Sequence, residues 1–294
     1  MYGGPMTLLR WDRRPEGLRA PALVFAFAGW NDAAEAATTA LAQTARSLRA
    51  ERIATVASDE LIDYQAMRPT IDLREGAPGE ITWPEIAVEV ARPAGAQRDL
   101  VLVRGPEPTY RWRAFCDALL GAAADLGVTR AVGLGALLAD VAHTRPVTLT
   151  GIATPPSLVE GMAFRPPSYA GPTGIVGVLH AAAAERGLEA VSLWAPVPHY
   201  VAGAPNPAGA LALVRGLERL TGVAVDARVL EDAVVEHERQ VSEAVGRDPA
   251  ARALVERLEQ AAEPDLHHGA LPSGDVLATE IERFLRQRGA EPDA

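Results

Sequence analysis

The chain has 294 residues, of which 48% are hydrophobic and 22% charged, so it can bury the core of one large domain, or of a domain with a smaller appendage. All 28 basic residues are arginines, and the absence of lysine excludes Schiff-base catalysis, pyridoxal phosphate attachment and a phosphate-loop lysine. A net charge of −10 disfavours binding to nucleic acid and to anionic membranes.

Cysteine usage and hydropathy indicate a cytoplasmic protein. Cys116 is the single cysteine, which excludes an intramolecular disulfide and a multi-cysteine zinc site. No apolar run reaches the roughly eighteen residues that span a bilayer. The first residues also lack the basic start and apolar core of a signal peptide. We therefore predict a cytoplasmic location and no membrane or nucleic-acid partner.

The first half of the chain alternates apolar strand patterns with amphipathic helix patterns. Residues 22–27 predict a strand buried on both faces that ends at Gly29. Asp32 has capping-box spacing to Glu35 at the start of the next helix. The elements predicted in this half are a helix over 33–49, strands over 53–57, 86–90 and 99–103, and a helix from Thr109 to Gly127.

The alternation continues to Gly222, and the pattern is purely helical after Asp226. The elements predicted up to Gly222 are a strand over 130–138, a helix over 174–186, a strand over 191–195 and a helix capped by Asn206 and Pro207. The three later helices are one with an apolar stripe (Leu230, Val234, His237, Val241 and Val245), one capped by Asp248 and one capped by Ser273. We predict an α/β domain over 1–225 and a helical lobe over 226–294, which either packs on the sheet or forms an oligomerisation surface.

Strand–helix alternation with such apolar strands favours a mostly parallel sheet covered by helices on both faces. In open sheets of this kind, ligands bind beyond the carboxyl ends of the strands. The loops after strands and the starts of helices are therefore where a site is expected. The candidates there are Trp30, Asn31, Asp32, Glu107, His143, Arg145, Thr173, His199 and Tyr200.

The loops after the first and fourth predicted strands each allow two interpretations. Free N–H groups at the helix start near Asn31 and Asp32 suit an anion, and Trp30 suits stacking on a ring. Alternatively, Asn31 or Asp32 is a helix cap and Trp30 packs as a lid. Glu107 stands between two prolines, where it is either held rigidly to accept hydrogen bonds or solvated in a turn.

Histidines follow two later strands. Asp140 and His143 are the types needed for a general base, and Arg145 suits a carboxylate or phosphate. A salt-bridged turn explains the same residues. His199 and Tyr200 are either proton-transfer residues or a buried hydrogen-bonded corner.

Glycine-rich segments do not complete a known motif. Thr173 lies in the segment 171–177, whose glycines allow either a close approach of phosphate or close packing of a helix. Gly133 and Gly135 fail as a dinucleotide fingerprint because no helix pattern follows them. There is no HExxH and no G-x-S-x-G motif. We therefore predict no metal and no cofactor, and we assign no catalytic residue.

Segments in order along residues 8–225 resemble one protein family. They are Phe27-Ala-Gly-Trp-Asn-Asp32, Asp63-Tyr64, Arg68-Pro69, Gly171-Pro-Thr-Gly174, Ala195-Pro-Val-Pro-His-Tyr200 and Asn206-Pro207. Together they resemble the proteasome assembly chaperone family, in the form named for its second chaperone subunit. The helical tail is similar to that of the uncharacterised actinobacterial branch. The resemblance implies a three-layer α/β/α sandwich with a mixed sheet, similar to the phosphorylase/hydrolase-like architecture, and it implies no catalytic residues.

Two functional hypotheses follow. Eukaryotic members of the family that the chain resembles help to assemble the proteasome outer ring. The resemblance therefore favours a non-catalytic protein-binding or assembly factor with protein partners. The apolar stripes of the tail favour a homo-oligomer. The alternative is a small-molecule-binding protein or an enzyme that uses a cleft at the carboxyl ends of the strands. Such a cleft is expected to have segment 154–172 as its lid and to be lined by Trp30, Asn31, Asp32, Glu107, Thr173 and His199.

Overall fold

The computed structural model describes residues 8–74, 77–162, 164 and 169–261. The strands are β1 (Leu9–Trp11), β2 (Ala22–Ala28), β3 (Glu51–Val56), β4 (Thr70–Arg74), β5 (Ala77–Thr82), β6 (Ile86–Ala91), β7 (Leu100–Pro106), β8 (Arg130–Ala139), β9 (Thr150–Thr154) and β10 (Glu189–Pro198). The helices are α1 (Ala36–Ser47), α2 (Trp112–Asp125), α3 (Ile175–Glu185), α4 (Pro207–Thr221), α5 (Arg228–Arg247) and α6 (Pro249–Gln260). The elements predicted within these residues are present, and the helix predicted from Ser273 lies outside the described residues.

Eight strands form one mixed sheet in the order β1-β3-β6-β7-β2-β8-β10-β9. The four central strands, β7, β2, β8 and β10, pair in parallel, and the other pairs are antiparallel. The prediction of a mixed sheet is confirmed, but the expectation that it is mostly parallel is wrong, because three of its seven strand pairs are parallel and all three lie in the centre. The reason is visible between β6 and β7, whose short connection contains no helix and therefore joins antiparallel neighbours.

The alternation of side chains on β2 divides the core into two layers. Phe25 and Phe27 pack with buried residues of α2 and α3 on one face of the sheet. Val24 and Ala26 pack with buried residues of α1 and α4 on the other face. The predicted three-layer α/β/α arrangement is therefore confirmed.

Two glycines inside β8 make room for aromatic rings of neighbouring strands. A Cβ at Gly133 would lie 2.8 Å from the ring of Phe25, its partner in β2, and 2.9 Å from Val176. A Cβ at Gly135 would lie 2.5 Å from the ring of Trp194, its partner in β10. These glycines thus serve packing within a strand, in agreement with the prediction that they form no dinucleotide-binding loop.

Helices α5 and α6, which follow Asp226, pack on the α/β layers. Helix α5 contacts α4, and α6 contacts α5. Leu230 is buried in the same cluster as Leu217 and Leu220 of α4. Val234 and Val241 of the predicted stripe are half-buried, whereas Val235 on the outer side of α5 is exposed. The apolar stripe of α5 therefore covers the chain's own core.

Candidate functional site

Residues that follow β2 and β7 meet at the start of α3. One oxygen of the Glu107 carboxylate accepts the Ile175 N–H at 2.8 Å, and the other accepts the Trp30 N–H at 3.3 Å. The Asn31 amide oxygen accepts the Val176 N–H at 3.3 Å. Two of these bonds satisfy first-turn N–H groups that have no partner within the helix. Glu107 therefore provides an internal carboxylate at a helix start that would otherwise attract an external anion.

Two glycines at the start of α3, one before the helix and one in its first turn, allow this arrangement. A Cβ at Gly174 would lie 2.1 Å from the Asn31 amide oxygen, and one at Gly177 would lie 2.2 Å from the Thr173 hydroxyl. Of the two interpretations of this glycine segment, the structure shows close packing. Trp30 is 50% exposed beside this turn, so its ring is not a buried lid.

Asp32 caps α1. Its carboxylate accepts the Ala37 N–H at 2.8 Å, the Thr38 N–H at 3.1 Å and the Thr38 hydroxyl. Burial raises the pKa of Asp32, and the hydrogen bonds from Thr38 and Ala37 oppose that rise. The capping box predicted with Glu35 does not form, because Glu35 has a left-handed backbone (φ 54°) and donates its N–H to the Asp32 carbonyl.

Asp32→Asn is expected to leave the free energy of unfolding nearly unchanged at neutral pH, whereas Asp32→Ala lowers it by about 1–2 kcal/mol. The asparagine oxygen accepts the same two N–H groups without burying a charge. Because the folded-state pKa of Asp32 is raised, the wild type loses stability as pH rises through that pKa, and the asparagine variant does not. Urea denaturation at acid and neutral pH measures both effects, and equal losses for the two variants would contradict the capping role.

A second polar group lies at the carboxyl ends of β8 and β10. The Tyr200 hydroxyl lies 2.7 Å from His143 Nδ1 and accepts the His143 N–H at 2.8 Å. His143 Nε2 lies 3.0 Å from the Ser242 hydroxyl of α5. His199 Nδ1 lies 3.1 Å from an Asp140 carboxylate oxygen. His143 therefore connects the end of β10 to α5 through two hydroxyl groups.

The loop after β8 is also tied to α6. Arg145 donates to the Glu259 carbonyl, and the Thr144 hydroxyl donates to the Glu259 carboxylate. Burial lowers the pKa of His143, although the nearby Glu238 and Glu259 carboxylates favour its protonated form. Burial likewise raises the pKa of the Tyr200 phenol. At neutral pH the His143 imidazole is therefore neutral, and it can donate to one hydroxyl and accept from the other.

A cavity of about 230 Å³ adjoins this second group. It is lined by residues of the 140–148 loop, by the end of β10, by the start of α4, and by His237 of α5 and Leu258 of α6. Of the nine residues predicted from the sequence, His143 and Arg145 line it.

The hydrogen bonds and ion pairs of the predicted residues fall into two groups. One group is at the starts of α1 and α3, where Asn31, Asp32 and Glu107 are bonded to backbone N–H groups. The other is at the ends of β8 and β10, where His199 lies with Asp140. The segment 154–172, expected as a lid, is described only in part, because residues 163 and 165–168 lie outside the described residues.

Ser242 is not among the candidates predicted from the sequence, and His237 is predicted there only as part of an apolar stripe. Ser242 is a polar residue beside Val241 on an amphipathic helix, which is the ordinary pattern of a solvated face. His237 interrupts an otherwise aliphatic stripe, and this interruption was the available signal for its place in the cavity wall.

The side chains that could bind a metal ion are His, Cys, Asp and Glu, and Cys116 is the single cysteine. Within residues 8–74, 77–162, 164 and 169–261, no three His, Cys, Asp or Glu side chains are placed to hold a metal ion. Cys116 is buried, and burial raises its pKa to about 11, so its thiol stays protonated. No helix in the same ranges is long and apolar enough to cross a membrane.

Relatives of known structure cover most of the chain. The PAC2 family model matches residues 26–245. A proteasome-assembly chaperone homologue of Mycobacterium tuberculosis is 40% identical, covering 80% of this chain and 99% of that one, with a TM-score of 0.74. A PAC2 family protein of Streptomyces avermitilis is 46% identical, covering 76% of this chain and 95% of that one, with a TM-score of 0.71.

A more distant structure agrees over a longer stretch. An M. tuberculosis protein of unknown function is 26% identical, covering 98% of this chain and 94% of that one, with a TM-score of 0.80. No curated protein matches the chain. The similarity to solved structures therefore includes the segments that carry both polar groups.

Proposed function

Because this chain belongs to the PAC2 family, we propose that it is a protein-binding assembly factor without a catalytic centre. The name of the M. tuberculosis relative, a proteasome-assembly chaperone homologue, supports a role in which protein chains are the partners. The contacts at α3 support it as well, since Glu107 and Asn31 bond to the chain's own backbone. The observation that carries the proposal is the β4–β5 hairpin.

The hairpin presents apolar side chains to solvent outside the main sheet. It is a separate two-stranded sheet in which Ile71 lies directly opposite Ile81. We define the hairpin surface as Met67 (37% exposed), Ile71 (48%), Leu73 (66%), Ile81 (47%) and Trp83 (50%). An isolated two-stranded hairpin is marginally stable in water, and contiguous exposed apolar side chains mark protein interaction sites. A bound protein that covers this surface would stabilise the hairpin and remove its apolar side chains from water.

The partner that we propose for the hairpin surface is a second copy of the chain. Within the described residues, β4 and β5 pair with each other and with no further strand, so each presents a row of backbone donors and acceptors along its outer edge. Two copies of the same edge can pair about a twofold axis, which lets each hairpin cover the other. The sequence predicts a homo-oligomer, and we propose the hairpin as the contact between its subunits.

Replacing Ile71 and Ile81 together with serine is expected to convert the oligomer to a monomer at micromolar concentration. The double variant removes the apolar cross-strand pair and keeps the backbone pattern of both strands. Sedimentation velocity measures the change. Val235→Ser is the matched control, because Val235 is 71% exposed but lies on α5. A monomeric wild type, or a double variant that associates as the wild type does, would refute the proposal.

A further inference from the structure

The cavity beside His143 occupies the position where ligands bind in sheets of this type. It lies beyond the carboxyl ends of the parallel neighbours β8 and β10. Helices α5 and α6 contribute His237 and Leu258 to its wall, so the C-terminal helices close it on one side. Its volume of about 230 Å³ is far more than one water requires, and it lies below the roughly 300–1,000 Å³ of sites for drug-sized ligands. A compact molecule fits this space.

The lining combines opposite charges with apolar walls. Arg145, which donates to the Glu259 carbonyl, supplies the positive charge of the lining. Asp140, which lies 3.1 Å from His199 Nδ1, supplies the negative charge. His143 and His237 add imidazole rings, of which that of His143 has both nitrogens next to the Tyr200 and Ser242 hydroxyls. Burial lowers the pKa of both histidines, which keeps them uncharged at neutral pH. Much of the remaining lining is apolar, including two prolines at the end of β10 and two valines of the 140–148 loop. The complement of this lining is a molecule with a carboxylate, an ammonium group and an apolar body.

We propose that the cavity binds a free amino acid with a small or medium apolar side chain. Arg145 binds the carboxylate, for which a guanidinium offers paired donors. Asp140 binds the ammonium group, and the apolar side chain lies against the prolines and Leu258. The proposal does not depend on the hairpin surface, which lies on different elements.

The surrounding charges select a zwitterion over a simple anion. The Glu238 and Glu259 carboxylates lie close enough to affect His143, and Asp140 lines the cavity itself. A carboxylate or phosphate without a compensating positive charge meets repulsion from these three acids. An amine without a carboxylate leaves Arg145 without an ionic partner in the ligand.

Calorimetric titration of the full chain with three probes that share one branched apolar body tests the proposal. L-Leucine is expected to bind with one site per chain and a dissociation constant of about 1 mM or tighter. Isocaproate lacks the ammonium group and isoamylamine lacks the carboxylate, so each is expected to bind at least about tenfold more weakly. The proposal would be overturned if leucine does not bind. It would also be overturned if isocaproate or isoamylamine binds as tightly as leucine.

Two variants connect the binding to the cavity. Arg145→Met is expected to weaken leucine binding at least about tenfold by removing the ionic partner of the carboxylate. Ala208→Phe fills the cavity from α4 and keeps the side chains of Arg145 and Glu259, so its loss of binding does not come from removal of their contact. Arg228→Met is the control, because it removes the same charge from an exposed position at the start of α5. Unchanged binding by the Ala208→Phe chain would place the ligand elsewhere and refute the proposed site.

Discussion

Glu107→Ala is expected to lower the free energy of unfolding by about 3 kcal/mol. The substitution removes the acceptor of the Ile175 N–H at 2.8 Å and of the Trp30 N–H at 3.3 Å. Ile175 is fully buried, so water does not readily replace the lost oxygen there. The negative charge at the start of α3 is lost as well, which removes its favourable interaction with the helix dipole. Urea denaturation followed by circular dichroism measures the loss.

Glu107→Gln provides the graded comparison. Its amide oxygen can accept the Ile175 N–H, but the side chain has one acceptor atom in place of two and no charge. We therefore expect a loss between those of the wild type and the alanine variant, at roughly 1–2 kcal/mol. If Glu107→Ala unfolds at the same denaturant concentration as the wild type, the carboxylate does not hold α3, and the interpretation of Glu107 as a residue presented to a ligand becomes the better one.

The partners of Glu107 show why the sequence located the polar residues but not their roles. The rule that ligands bind beyond the strand ends selected Glu107 and Asn31 as candidates, and both bond to backbone N–H groups of the chain itself. Their hydrogen-bond partners lie 68 and 145 residues further along the chain, in the first turn of α3. No local spacing encodes such a pairing, because it depends on how the strands are ordered in the sheet. The same holds for His143 and Ser242, which are 99 residues apart.

The predicted strands agree with the structure where the sequence has a clear apolar pattern. The central strands are buried on both faces and are read as continuous apolar runs, as β2 illustrates. The elements that were missed lack that signal. β1 has three residues, β9 reads Thr-Gly-Ile-Ala-Thr at the sheet edge, and β5 contains Pro78 and Gly79, which are typical of a connection. The apolar side chains of the hairpin are largely exposed, so burial leaves no pattern in its sequence.

Gly133→Val is expected to lower the free energy of unfolding by about 3 kcal/mol or more. A Cβ at this position would lie 2.8 Å from the Phe25 ring and 2.9 Å from a Val176 methyl group, closer than carbon atoms pack. Phe25 and Val176 are both fully buried, one in β2 and the other in α3, so neither can turn toward solvent. The valine forces the sheet and the helix apart or moves both side chains away from preferred rotamers.

Gly133→Ala and Gly121→Ala separate this packing effect from the general effect of removing a glycine. Gly133→Ala adds the single clashing carbon and is expected to cost about 2 kcal/mol. Gly121 lies on the exposed side of α2, and a Cβ there meets nothing within 4 Å, so alanine is expected to stabilise the protein by up to about 1 kcal/mol through its helix propensity. Thermal and urea unfolding of the three variants measure their stabilities, which are expected to rise from Gly133→Val through Gly133→Ala to Gly121→Ala. If Gly133→Val unfolds at the same temperature and urea concentration as the wild type, the packing between β8 and α3 is loose enough to admit a side chain. The close contact of Phe25 with the backbone of β8 then does not contribute to stability.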